Sequence, residues 1–73
     1  AESSLEQQRQ SVETARVQVE LAQKNLARQR ELWGQQLTTR EQLDRAETDL
    51  RAAESALRER EKQVNAQAAR INQ

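Results

Sequence analysis

The sequence predicts an all-α protein folded as a two-helix antiparallel coiled-coil hairpin, and three observations lead there. Leu5, Val12, Val19, Leu26 and Trp33 recur at every seventh position, and Leu43, Leu50, Leu57, Val64 and Ile71 repeat that spacing. The only glycine, Gly34, stands between the two series, and there is no proline. Apolar residues make up 34% and charged residues 33%, a mix rich in Ala, Glu, Gln, Arg and Leu that suits long helices. A seven-residue apolar repeat marks a coiled-coil seam. Two repeats of equal length, broken once, describe a chain that runs out, turns and comes back.

The first helix is expected over residues 2–33, with the seven-spaced apolar residues at the a positions and Ala1, Gln8, Ala15, Ala22 and Gln29 at d. The turn is expected over 34–38, where Gly34 supplies the left-handed conformation that ends a helix. Thr38 is followed three residues on by Glu41, and Thr39 by Gln42, so either threonine could open the second helix with a capping box. That helix is expected over 39–72, with Thr39, Ala46, Ala53, Arg60 and Gln67 at d. At a rise of about 1.5 Å per residue each arm is about 50 Å long.

Folding the chain back about the turn sets every a residue against a d residue. Val19 meets Ala53, Leu26 meets Ala46, Leu50 meets Ala22 and Leu57 meets Ala15. Each layer pairs a large side chain with a small one, which lets the helices approach and interdigitate. Towards the open end the layers become polar: Val12 meets Arg60, Val64 meets Gln8 and Leu5 meets Gln67. That end is expected to be looser. The flanking e positions carry Arg9, Arg16 and Arg30 on the first arm and Glu47, Glu54 and Glu61 on the second. The antiparallel register brings Arg9 near Glu61 and Arg16 near Glu54, charges that specify orientation and register. Val17 and Leu21 are apolar on the outer face, as are the small Ala52, Ala56, Ala66 and Ala69 of the second arm. They suit weak lateral packing between rods, or simply helix propensity on a neutral face.

The composition bounds the function. At 73 residues with a single aromatic there is room for one small domain and no broad core. The net charge is zero, which argues against nucleic acid as a partner. Without histidine or cysteine the side chains that most often serve acid–base, nucleophilic and metal chemistry are missing. A two-helix rod also offers no cleft in which to desolvate its carboxylates. No enzyme, cofactor or metal site is expected. No apolar run reaches the roughly 18 residues that cross a membrane. The chain opens on Ala1 rather than Met and reads as an excerpt of a larger protein.

The stretch from Arg28 to Leu43 carries a resemblance. Arg28, Leu32 and Thr39 stand at the spacing Arg, three residues, Leu, six residues, hydroxyl residue. This resembles the hairpin tip of the periplasmic adaptor proteins, or membrane fusion proteins, of Gram-negative tripartite efflux pumps and type I secretion systems. In that family a serine holds the third place; threonine here keeps the hydroxyl and adds a methyl. The family-like wording extends from about Ala22 to Ala53, and the outer arms are generic heptad sequence. The resemblance implies a hairpin inserted in a lipoyl-like domain of an adaptor of the MacA-like or AcrA-like kind. It implies a parent anchored to the inner membrane, assembled in the periplasm as a homo-oligomer, commonly a hexamer, around an ABC or RND type transporter. The hairpin tips would then meet a TolC-like outer-membrane channel through Arg28, Leu32 and Thr39. Trp33, Gly34, Leu37, Arg30 and Arg40 are candidate supports of that tip.

Each has a plainer reading. Thr39 can be only a helix cap, Leu32 can only seal the turn, and Arg28 can be only a solvated charge. Trp33 is expected in the seam as the plug of the rod end. Leu37 packs under it or protrudes. Arg30 and Arg40 approach without an obvious carboxylate between them. The competing function is a structural coiled-coil spacer or oligomerisation module with no channel partner.

Overall fold

A computed structural model describes residues 2–71 as two helices, α1 (Glu2–Gly34) and α2 (Arg40–Ile71), packed side by side in a rod of 56 × 14 × 12 Å. The all-α hairpin is the architecture the heptads predict. The helices end within a residue of expectation: α1 takes in Gly34, α2 opens on Arg40, and the turn is 35–39. The expected end at Asn72, the d position Ala1, and the side chains of Gln67 and Ile71 lie outside the described residues.

The core is a narrow seam. Ala15, Val19, Leu26, Leu43 and Ala46 are buried, and all are a or d residues. Leu26, Leu43 and Ala46 form one cluster, with Leu50 packed against it. The Leu26–Ala46 layer shows why large-to-small pairing works. A methyl group leaves room for the opposing leucine, so the helices come close enough to exclude water from both. Each leucine or valine so buried contributes roughly 1.5–3 kcal/mol.

Burial fades towards the open end. Leu5, Val12, Leu57 and Val64 are half-buried, and Arg60 at its d position is exposed. Arg60 swings out of the seam and donates a hydrogen bond from Nη1 to Ser11 Oγ on the facing helix. Gln8, also at d, has its Oε1 buried without a hydrogen-bond partner.

One expectation about charge is corrected. The Arg16 guanidinium pairs with Glu13 at 2.9 Å, one turn away on its own helix, rather than with Glu54 across the seam. A neighbour at i−3 is always within reach, whereas a cross-seam partner needs two extended side chains. Arg9 and Glu61 do line one groove together, but the ion pairs among the described residues are Arg16–Glu13 and Arg40–Asp44. Register therefore rests on the seam layers. Exposed pairs of this kind contribute about 0–1 kcal/mol.

Candidate functional site

The closed end of the rod is where the sequence concentrates its unusual residues, and its backbone is tightly held. The Leu37 amide donates to the Leu32 carbonyl at 2.8 Å, and the Gln36 amide to the Trp33 carbonyl at 3.0 Å. These are the two bonds of a Schellman motif, in which the residue before the last donor takes the left-handed conformation. That residue is Gln36, with φ 62°. The expectation placed this role on Gly34, and it is corrected. Gly34 is the last helical residue, its φ is not positive, and a Cβ there would meet nothing within 4 Å. The helix runs one residue past its expected end and the left-handed position falls two residues beyond the glycine, because i→i−4 bonding continues through the Gln35 amide to Glu31 at 3.2 Å.

The second helix opens on Thr39. Its Oγ1 accepts a hydrogen bond from the Gln42 amide at 3.1 Å, which satisfies one of the donors a helix start leaves free. Glu41 in the first turn has the sign that the positive end of the helix dipole favours. Of the two threonines, Thr39 is thus the cap, and Thr38 does something else. Its Oγ1 lies 2.8 Å from Gln29 Oε1 on α1 and 2.7 Å from Gln42 Oε1 on α2. Both partners are carbonyl oxygens, so the single hydroxyl proton is donated to one of them at a time. Thr38 is the polar clasp that ties both arms to the turn. Sequence reasoning missed it. The available signal was Gln29, a long polar side chain at a d position next to the turn, in need of a partner.

Around this frame the candidate residues separate into two groups. Leu32 is half-buried, and its carbonyl also accepts from the Gln35 amide at 3.1 Å. Trp33 is 41% exposed and Leu37 66% exposed. The expected seam plug is therefore corrected: Trp33 lies at the rim, with the Arg40 guanidinium 5.8 Å from its ring centroid. The indole stands at the last layer of the rod, where the facing d residue is Thr39, the cap of α2, and a cation lies over its face. Arg40 Nε also meets Asp44 Oδ1 at 3.3 Å, so Arg40 has the carboxylate it was expected to lack. Gly34, Thr39 and Arg30 are exposed on the same end.

Arg28 belongs to the second group. It is exposed and lines a groove on the flank of the rod with Leu21, Lys24, Asn25, Asp49 and Ala52. Leu32 and Thr39 are thus gathered at the turn, while Arg28 stands on the flank just below. The surface so built gathers apolar and polar side chains at one end of the rod. It can offer a fixed apolar pair, an aromatic face with an arginine on it, and a hydroxyl.

Among the described residues, no helix is long and apolar enough to cross a membrane. Comparison with protein-family models, characterised proteins and solved structures finds no match to this chain.

Proposed function

We propose that this hairpin is the docking arm of a periplasmic adaptor, reaching from an inner-membrane transporter to a TolC-like outer-membrane channel in efflux or secretion, with the turn as its point of contact. The reading is supported chiefly by one observation: two of the four exposed large apolar side chains among the described residues, Trp33 and Leu37, lie at a rigidly hydrogen-bonded turn. Exposed apolar surface held in a fixed shape is the common mark of a recognition surface. Tryptophan and arginine, stacked here as Trp33 and Arg40, are the side chains that most often dominate such contacts. The spacing of Arg28, Leu32 and Thr39 supports the particular partner. In the parent the arm works as one of several identical copies, in the periplasm.

A second reading, a plain spacer, is favoured by a specific observation. The Thr39 hydroxyl is already engaged as the cap of α2, so its place in the sequence is explained without a partner. One experiment separates the two. The hairpin is displayed as a hexamer and used to capture the periplasmic end of a TolC-like channel, with Leu37→Ser and Leu32→Ser as controls. Leu37→Ser is the cleaner control, since its side chain is mostly in solvent and its loss leaves the turn bonds intact. Capture by the parent sequence and its loss in Leu37→Ser, at unchanged helicity, supports docking. No capture by the fully helical parent moves the function to the spacer.

A further inference from the structure

The closed end of the rod is bonded as two separate pieces. On the α1 side, the Gln35, Gln36 and Leu37 amides donate to carbonyls of Glu31, Leu32 and Trp33. On the α2 side, the Thr39 carbonyl accepts from the Leu43 amide and the Thr39 hydroxyl from the Gln42 amide. Among the described residues, no backbone hydrogen bond of the turn crosses from one piece to the other. The crossing is made by side chains. Thr38 Oγ1 reaches Gln29 Oε1 on α1 at 2.8 Å and Gln42 Oε1 on α2 at 2.7 Å, and Arg40 of α2 lies over Trp33 of α1. Between Trp33 and Gln42, Thr38 is the one residue that is not exposed. The candidate surface is divided along the same line. Leu32, Trp33 and Leu37 belong to the first piece, and Thr39 and Arg40 to the second.

We infer that Thr38 is the positioning residue of this surface: its hydroxyl sets the α2 piece, with Arg40, against the α1 piece, with Trp33 and Leu37. The docking part of the inference rests on the proposed function; the geometric part does not. The seam holds the helices side by side as far as the cluster of Leu26, Leu43 and Ala46. Beyond it the chain itself joins the pieces, and each residue of a chain leaves two soft dihedrals free to tilt one piece against the other. A side chain within hydrogen-bond reach of an amide on each arm removes that freedom. The proton serves one carbonyl at a time, yet the oxygen stays close to both, and half-burial strengthens the bond against competing water. Orientation matters because a surface held in its binding shape avoids an ordering cost when a partner arrives. The neighbouring Thr39 hydroxyl is spent on the helix start. Of the two adjacent threonines, Thr38 is thus the one whose loss alters the shape of the closed end and spares the helices.

Thr38→Val removes the hydroxyl and keeps the branched shape, and Thr38→Ser keeps the hydroxyl. Helicity should be unchanged in both, because neither the Leu37–Leu32 and Gln36–Trp33 bonds nor the Thr39 cap uses the Thr38 side chain. Geometry is read by proton NMR. The ring current of Trp33 shifts the side-chain protons of Arg40 upfield; Thr38→Val should collapse that shift and Thr38→Ser should restore it. Docking is read by capture of the periplasmic end of a TolC-like channel on the displayed hexamer. Capture should weaken roughly fivefold in Thr38→Val, the effect expected of one side-chain hydrogen bond, and recover in Thr38→Ser. Gln29→Leu should also weaken capture, and adding it to Thr38→Val should cost nothing more, since the bond it removes is already gone. A ring-current shift or a capture that is the same in Thr38→Val and the parent overturns the inference, as does full additivity of Thr38→Val and Gln29→Leu. If the parent captures nothing, the docking role falls, and the ring-current comparison alone decides the geometric part.

Discussion

The half of the rod nearest the turn and the half nearest the open end carry the same heptad spacing, yet they bury it differently. Val19, Leu26 and Leu43 are buried, whereas Leu5, Val12, Leu57 and Val64 are only half-buried. The a residues are similar in size in both halves. What differs is d. Near the turn the facing residues include Ala46, which leaves room for close approach, and the closed end is further tied by the Thr38 clasp between Gln29 and Gln42. Near the open end Gln8 and Arg60 occupy d, and neither completes an apolar layer. Arg60 leaves to bond Ser11, and Gln8 stays with its carbonyl unpartnered. In a seam only two helices wide, the residue opposite and the distance from the closed end together set how well a large side chain is buried.

That contrast can be broken from either side. Leu26→Ala removes the large member of the best-buried layer and should cost about 3 kcal/mol. Leu57→Ala, on a half-buried site, should cost about half as much, because less apolar surface is lost. Urea titrations followed by circular dichroism at the helix minimum would show the two midpoints well separated; coincident midpoints would mean the halves are equally packed. The open half can instead be repaired. Gln8→Leu removes a buried acceptor that has no donor and adds apolar contact with the Val64 layer, for a gain of about 1 kcal/mol. Amide hydrogen exchange should then slow in the arms near Val12 and Val64, and unchanged exchange there would show that Gln8 is not the weak point.

Smaller effects are expected at the turn. Gln36→Gly relieves a left-handed backbone on a residue with a side chain, and Gly34→Ala removes flexibility from a helical site with open space around it. Each should stabilise by roughly 1 kcal/mol, so the paired exchange raises the thermal midpoint above that of either single variant. A fall in midpoint for Gly34→Ala would return the left-handed position to residue 34. The smallest change is Arg16→Gln. The Arg16–Glu13 pair is exposed, so its loss should shift stability by about 0.5 kcal/mol or less, and added salt should shift the parent and the variant by the same amount within error.

Much of this fold was legible in the residue pattern, because a period of seven on an α-helix translates directly into a face. The a and d residues that close the seam, from Ala15 to Leu43 and Ala46, were readable one by one. The helix ends were readable to within a residue for a similar reason: Thr39 is a capping residue with Gln42 at the right distance. The turn's interior was harder. Gly34 is the residue a reader expects to carry positive φ, but where a helix ends depends on which amides find carbonyls, and the Leu37–Leu32 and Gln36–Trp33 bonds put the strained position two residues later. Trp33 misled for another reason. Its place in the heptad is an a position, but it is the last one before the turn, so no further layer covers the ring on the closed side. The ion pairs were the least legible, since Arg16 was matched with Glu54 and Arg40 with no carboxylate, and both took partners on their own helices, Glu13 and Asp44.

The position of Trp33 also makes the molecule its own optical probe. It is the sole aromatic in the chain, so all fluorescence excited at long ultraviolet wavelengths comes from one half-exposed ring beneath Arg40. Events along the arms leave that emission nearly still. Anything that covers the turn, displaces the guanidinium or dries the indole shifts it to the blue, so occupancy of this end can be followed in real time without attaching a dye.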